Sequence, residues 1–119
     1  MSFSMTTEAV RRHEKTVTRR LGWWDLKPGT VLQAVEKAQG LRKGEHVKPI
    51  CLIRVVSRRA ERLGLLELKT TAEAVAETAR EGFPGMTGPE FVAMFCKANR
   101  SAGVTRAWFV NRIEFEYLP

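Results

Sequence analysis

Residues Ile50–Arg59 read ICLIRVVSRR, and this stretch decides what kind of fold the chain can form. In an extended chain Cys51, Ile53, Val55 and Ser57 take one face and Ile50, Leu52 and Arg54 the other, since successive strand side chains alternate. Upstream, Thr30–Glu36 also reads as a strand, after a turn at Lys27-Pro28-Gly29. Only a polar loop, KAQGLRKGEHVKP, joins the two. Further back, Thr16–Leu21 is β-branched and alternating. No helix separates these strands, whereas a parallel sheet needs a crossover helix between neighbours.

The helices come afterwards, in one group. Thr70 with Glu73 has capping-box spacing, and Ala72, Val75, Ala76 and Ala79 then follow a helical repeat. Thr87, Pro89 and Glu90 repeat the signal, with Pro at the first helical position, and predict a buried stripe of Phe91, Met94, Phe95 and Ala98. EGFPGMTG is the loop between them. A last strand spans about 106–117, with Asn111, Ile113, Phe115 and Tyr117 on one face and Arg112, Glu114 and Glu116 on the other. At the start, Met1, Phe3 and Met5 alternate with Ser2 and Ser4 and predict a short strand. Thr6 or Thr7 then caps a helix through about His13, with Glu8 in the first turn and Arg11, Arg12 and His13 in the last. The order β-α-β-β-β-α-α-β predicts an α+β fold, a small mixed β-barrel with about three helices on its flank.

The chain has 119 residues, 44% apolar and 28% charged, which suits one domain over 1–119 with one modest core. No apolar run approaches the ~20 residues of a membrane span. MSFSMTTEAVRR lacks the basic and apolar regions of a secretory signal, so a cytoplasmic protein is expected. Cys51 and Cys96 sit in apolar patterns and read as reduced, buried packing residues. No His/Cys cluster has zinc spacing, so neither metal nor cofactor is expected.

The charge is lopsided. Residues 1–62 hold 14 Lys/Arg against 6 Asp/Glu, and residues 63–119 hold 6 against 7, so the first half supplies the net +7. A one-sided basic surface attracts polyanions, although excess charge also serves plain solubility. Within that half, KTVTRRLGWW (15–24) gathers cations, hydroxyls and two indoles. Extended, it places Thr18 beside Arg20 on one wall, and Lys15 with Arg19 on the other. A planar guanidinium suits phosphate or carboxylate. Trp23 and Trp24 offer a stacking face for a base, or cap the core; one is expected buried and one partly exposed. Glu81 falls at a helix C-terminus, the end that disfavours an anion, with Gly82 as the stop. Either a cation from KTVTRR compensates it or it is a tolerated surface acid.

Taken in order, Lys15-Thr16-x-Thr18-x-Arg20, then LKPGT, then Glu81-Gly82-Phe83, then VNRIEFEYL, resemble the ASCH domain, over nearly the whole chain from Phe3 to Tyr117. TRRLGW, the basic AQGLRKGE loop and EGFPGMT look like the small phage-type and bacterial members. The resemblance implies a PUA-like β-barrel associated with RNA binding. It also implies a basic cleft for a nucleotide or modified base, lined by Lys15, Thr18, Arg19, Arg20 and Glu81. Trp23, Trp24 and Phe83 would flank the base, and Arg42, Lys43 and Lys48 would extend the positive track. One branch of the family is an acetylcytidine amidohydrolase. Carried over, Lys15 would activate Thr18 as nucleophile and Glu81 would shuttle protons. This chain departs from that branch in Arg19, where the enzymes carry an apolar residue, and in the Trp pair and the longer basic loop. A ribonuclease is a further reading, with the Lys/Glu/Arg pocket stabilising a pentavalent phosphate. The expected partner is RNA, a nucleotide or a modified nucleoside, with no membrane and a monomer.

Overall fold

The computed structural model describes residues 1–37 and 40–119; Ala38 and Gln39 of the polar loop lie outside the described residues. Along the chain run α1 (Thr7–Arg11), β1 (Val17–Arg20), β2 (Val31–Val35), β3 (Pro49–Arg62), α2 (Leu65–Leu68), α3 (Thr71–Arg80), α4 (Gly88–Ala98), a 3₁₀ turn (Arg100–Ala102) and β4 (Phe109–Tyr117). The strands form one sheet in the order β1-β4-β3-β2. Every strand pair is antiparallel. The sheet curls into a half-barrel with β1 and β2 at its edges, an α+β fold as expected.

Among the described residues four α-helices accompany it rather than about three, the extra one being the single turn α2. The expected first strand shrinks to a parallel bridge between Ser2 and Val35. Its extension stops early because the Thr6 N–H and the Thr7 hydroxyl both bond the Phe3 carbonyl and turn the chain into α1.

A bulge in β3 changes the predicted facing. Val55 pairs with Phe115 but Ser57 pairs with Glu114, so Ser57 leaves the face of Cys51, Ile53 and Val55. The extra residue bends the strand and re-aims everything after it. Beyond it Glu61 pairs with Val110, on the same face as Arg112 and its partner Arg19. Hydrophobic clusters cover both sides of the sheet. Phe3, Val10, Ala34, Ile53 and Phe115 pack on one, while Leu63, Leu66, Phe91, Phe95 and Val110 pack under α2 and α4 on the other.

Two of the three cap predictions match the structure; in the third, Thr6 stands at the N-cap of α1 but makes no side-chain cap hydrogen bond, and the helix ends at Arg11 rather than about His13. The Thr70 hydroxyl accepts from the Glu73 N–H, and Thr87 with Glu90 makes the full reciprocal capping box. The alanine stripe of α3 is corrected: Ala72, Ala76 and Ala79 face solvent, and the buried face is Ala74, Glu77 and Thr78. Polar side chains turn inward there because cations of the sheet meet them, as described below. In α4, Phe91 and Phe95 are buried with Val92 in place of Ala98, which is exposed. Cys51 and Cys96 are free thiols, half-buried rather than buried.

Gly88 marks the tightest packing of helix on helix. A Cβ there would lie 2.2 Å from the Leu66 carbonyl oxygen, which is backbone and cannot swing aside. Gly88→Ala is expected to destabilise the fold by about 1–3 kcal/mol, the usual cost of overpacking, read from the urea midpoint. An unchanged midpoint would mean that α2 and α4 are not locked together.

Candidate functional site

The site begins with the way α3 ends. Gly82 (φ 93°) takes the left-handed conformation, and its N–H donates to Ala79 O while that of Phe83 donates to Thr78 O. The carbonyls this leaves meet the segment entering β1. Thr16 N–H donates to Arg80 O, and the Lys15 ammonium donates to Glu81 O and, at 3.0 Å, to Glu81 Oε1. A cation at a helix C-terminus is favourably placed against the dipole, so Lys15 offsets both the carbonyls and the misplaced carboxylate. Lys15 and Glu81 are each only 3% exposed. Burial pushes the Lys15 amine below the ordinary lysine range, assisted by Arg20 and Arg19, against the pull of Glu81.

Arg19 ties this pair to the rest of the sheet. Its Nη1 donates to Glu81 Oε2 at 2.9 Å and its Nη2 to Glu61 Oε1 at 2.7 Å, with Glu77 Oε2 at 3.8 Å. Arg112 completes the network through Nε and Nη2 on Glu77 Oε1. Burial would lower the pKa of Arg19, but Glu81, Glu61 and Glu77 together raise it. For Glu77, burial pushes the carboxyl up, but the Arg112 hydrogen bond and the charges of Arg19, Arg112 and Arg80 hold it below the usual range. A folded-state value below the unfolded one means stability that is full above about pH 4.3 and drains away as the pH falls through the lower folded value. Glu77→Gln should therefore flatten the acid limb of stability below about pH 4.3. Urea titration across that interval checks it, and an unaltered limb would remove Glu77 from the acid response.

Beside the pair opens a cavity of about 390 Å³. Lys15, Thr18, Arg20 and Glu81 supply polar walls, and Phe3, Phe83, Phe91 and Phe95 supply rings. Arg20 Nε donates to Thr18 Oγ1 at 3.1 Å, and its guanidinium carbon sits 4.9 Å from the Phe3 ring centroid. Burial lowers the Arg20 pKa against the pull of Glu81. Among the described hydrogen bonds none joins Lys15 to Thr18; each has another partner.

Of the sequence-predicted residues, the cavity brings together Lys15, Thr18, Arg19, Arg20, Glu81 and Phe83. It does not include Trp23 or Trp24. Neither indole is core: they are 43% and 40% exposed. The turn that carries them is held from below by Asn111, whose Nδ2 donates to the Gly22 and Trp23 carbonyls, while Leu26 takes the buried position. Arg42, Lys43 and Lys48 lie outside the cavity as well. Lys48 lines a neighbouring depression with Lys37 and His46 that meets the cavity at Ser4. A third depression, with Lys97 and Arg100, adjoins at Met5, Met94 and Ala98. Sequence reading missed Glu61, Glu77 and Arg112. One signal was available: Glu77 and Glu81 stand four apart, a repulsive helical spacing unless a cation lies between them.

The site thus sits at the edge of an open antiparallel half-barrel in which α2, α3 and α4 are inserted before the last strand, with a buried Lys–Glu pair at that edge. No family model and no curated protein matches the chain. Among solved structures it is similar to the high-resolution crystal structure of an ASCH domain from Lactobacillus crispatus JV V101. That match has a TM-score of 0.55 and 17% identity and covers 94% of this chain and 69% of that one. The chain thus has the ASCH-domain fold.

Proposed function

We propose that the cavity binds a nucleotide, or a nucleobase presented by RNA. One observation carries this reading: a single concavity combines aromatic rings with buried polar donors and acceptors. Its volume of about 390 Å³ falls within the range of small-ligand sites. A base edge carries both donors and acceptors, and Glu81 with Lys15, Thr18 and Arg20 answers both kinds. Phe3, Phe83 and Phe91 supply apolar contact for the ring. The basic rim at Lys97 and Arg100 favours a phosphodiester running past the mouth, whereas on the other side Lys37 and Lys48 are balanced by Glu36 and Glu45. The ASCH-domain fold adds support through the RNA association of PUA-like domains.

RNA affinity should then fall with salt, with a log–log slope of about −0.7 for each phosphate contacted by a single strand. Calorimetric titration between low and moderate salt measures it. Affinity that is absent, or flat with salt, counts against RNA.

A second reading, an amidohydrolase acting on acetylcytidine-like acylated nucleosides, is favoured by the lowered pKa of the buried Lys15 and its contact with Glu81. A neutral amine can take a proton from a hydroxyl nucleophile. For that chemistry the Thr18 hydroxyl must exchange Arg20 for Lys15 when substrate enters. Turnover of acetylcytidine that disappears in Thr18→Ala, with folding intact, would establish it; no turnover in the wild type leaves the binding function alone.

A further inference from the structure

The indoles that the cavity does not use belong to a different surface. On β3 and β4 the register sets Arg62 opposite Phe109, Ala60 opposite Asn111 and Arg58 opposite Ile113. Arg58, Arg62, Asn111 and Phe109 therefore share one face of the sheet. The Arg62 guanidinium lies 4.6 Å from the Phe109 centroid and that of Arg58 lies 5.9 Å from the Trp24 ring. Asn111 is fully buried and locks the arrangement: its Oδ1 accepts from Arg58 Nε at 2.9 Å while its amide holds the carbonyls of the tryptophan turn. Trp23 is kept at φ 63°, a conformation bulky L residues rarely adopt. Yet the rings so carefully fixed stay open to solvent, Phe109 at 52%.

The charge of this face is one-sided. Arg54–Arg62 contains a single acid, Glu61, and it turns to the opposite face, where Arg19 neutralises it. From Arg58 to Arg62 the strand runs about 13 Å, long enough to meet more than one base. Rigid rings interleaved with guanidinium planes on a sheet face are what unpaired bases stack on, whatever their sequence.

We propose that Trp24 and Phe109, with Arg58 and Arg62, form a second nucleic-acid surface that takes the bases of a single strand by stacking. This surface stands apart from the cavity and does not depend on what the cavity binds. Stacking does not read the sugar, so RNA and DNA single strands are both accepted.

The test is anisotropy of a dye-labelled 12-mer oligoadenylate, followed together with tryptophan fluorescence. Wild type should bind with quenching of the indoles. The double variant Trp24→Ala/Phe109→Ala should bind at least about ten-fold more weakly with its urea midpoint retained, since both rings are exposed. Arg58→Lys/Arg62→Lys, which keeps the charge but not the planar stacking group, should weaken binding while preserving the salt slope. Lys15→Met should leave the quenching in place, so failure of the cavity reading and failure of this one are separable. Undiminished affinity in the ring variant, or poly-glutamate bound in preference to the oligonucleotide, would overturn the proposal.

Discussion

Arg19→Met is expected to cost the fold about 3–5 kcal/mol, because removing one partner of a buried ionic network leaves the others uncompensated. Arg19 is the cation shared by Glu61, Glu77 and Glu81, with a side chain only 1% exposed. Glu77 retains Arg112 and Glu81 retains Lys15, but among the described residues Glu61 keeps only Arg59, at 3.6 Å and on the solvent side. Arg19→Lys should recover little of the loss, since one ammonium cannot reproduce two guanidinium arms aimed at separate carboxylates. Urea unfolding decides it: a midpoint lowered by roughly 1 M or more is expected from typical denaturant slopes, and an unchanged one would contradict the network.

The second large effect concerns the ligand. Lys15→Met should weaken nucleotide binding by about 10- to 100-fold, the worth of one charge-assisted hydrogen bond of about 1.5–3 kcal/mol. Glu81 would still have Arg19 at 2.9 Å, so folding should persist. The methionine occupies similar volume, so packing around Phe3 is kept. Calorimetry on the same nucleotide with both proteins measures the ratio. Equal affinities would place the ligand elsewhere.

These two cations also show how far the sequence could be read. Caps were legible because Thr70 and Thr87 act within three residues of themselves. Strand existence was legible in the β-branched, alternating runs of β2, β3 and β4. The meeting of Lys15 with Glu81 was foreshadowed by local chemistry, an acid at the wrong end of a helix and a run of cations with nothing nearby to neutralise. What could not be read depended on tertiary partners. The alanine stripe of α3 looked apolar and faces water, because Glu77 and Thr78 are welcome inside only when the sheet presents Arg19 and Arg112. Ser57 was assigned to the wrong face because a bulge leaves no mark in an alternating pattern. The tryptophans looked like core or cavity wall, and it is Asn111, almost ninety positions away, that turns them outward. Phe91 and Phe95 read as core and are core, but they also floor the cavity.

The most direct measurement is a crystal structure of the protein with an RNA mononucleotide soaked to saturation. The base is expected within the cavity between Phe3, Phe83 and Phe91, its polar edge meeting Lys15, Glu81 or Arg20, and its phosphate toward Lys97 and Arg100. A cavity left empty at saturation, with the nucleotide bound elsewhere or not at all, would contradict it.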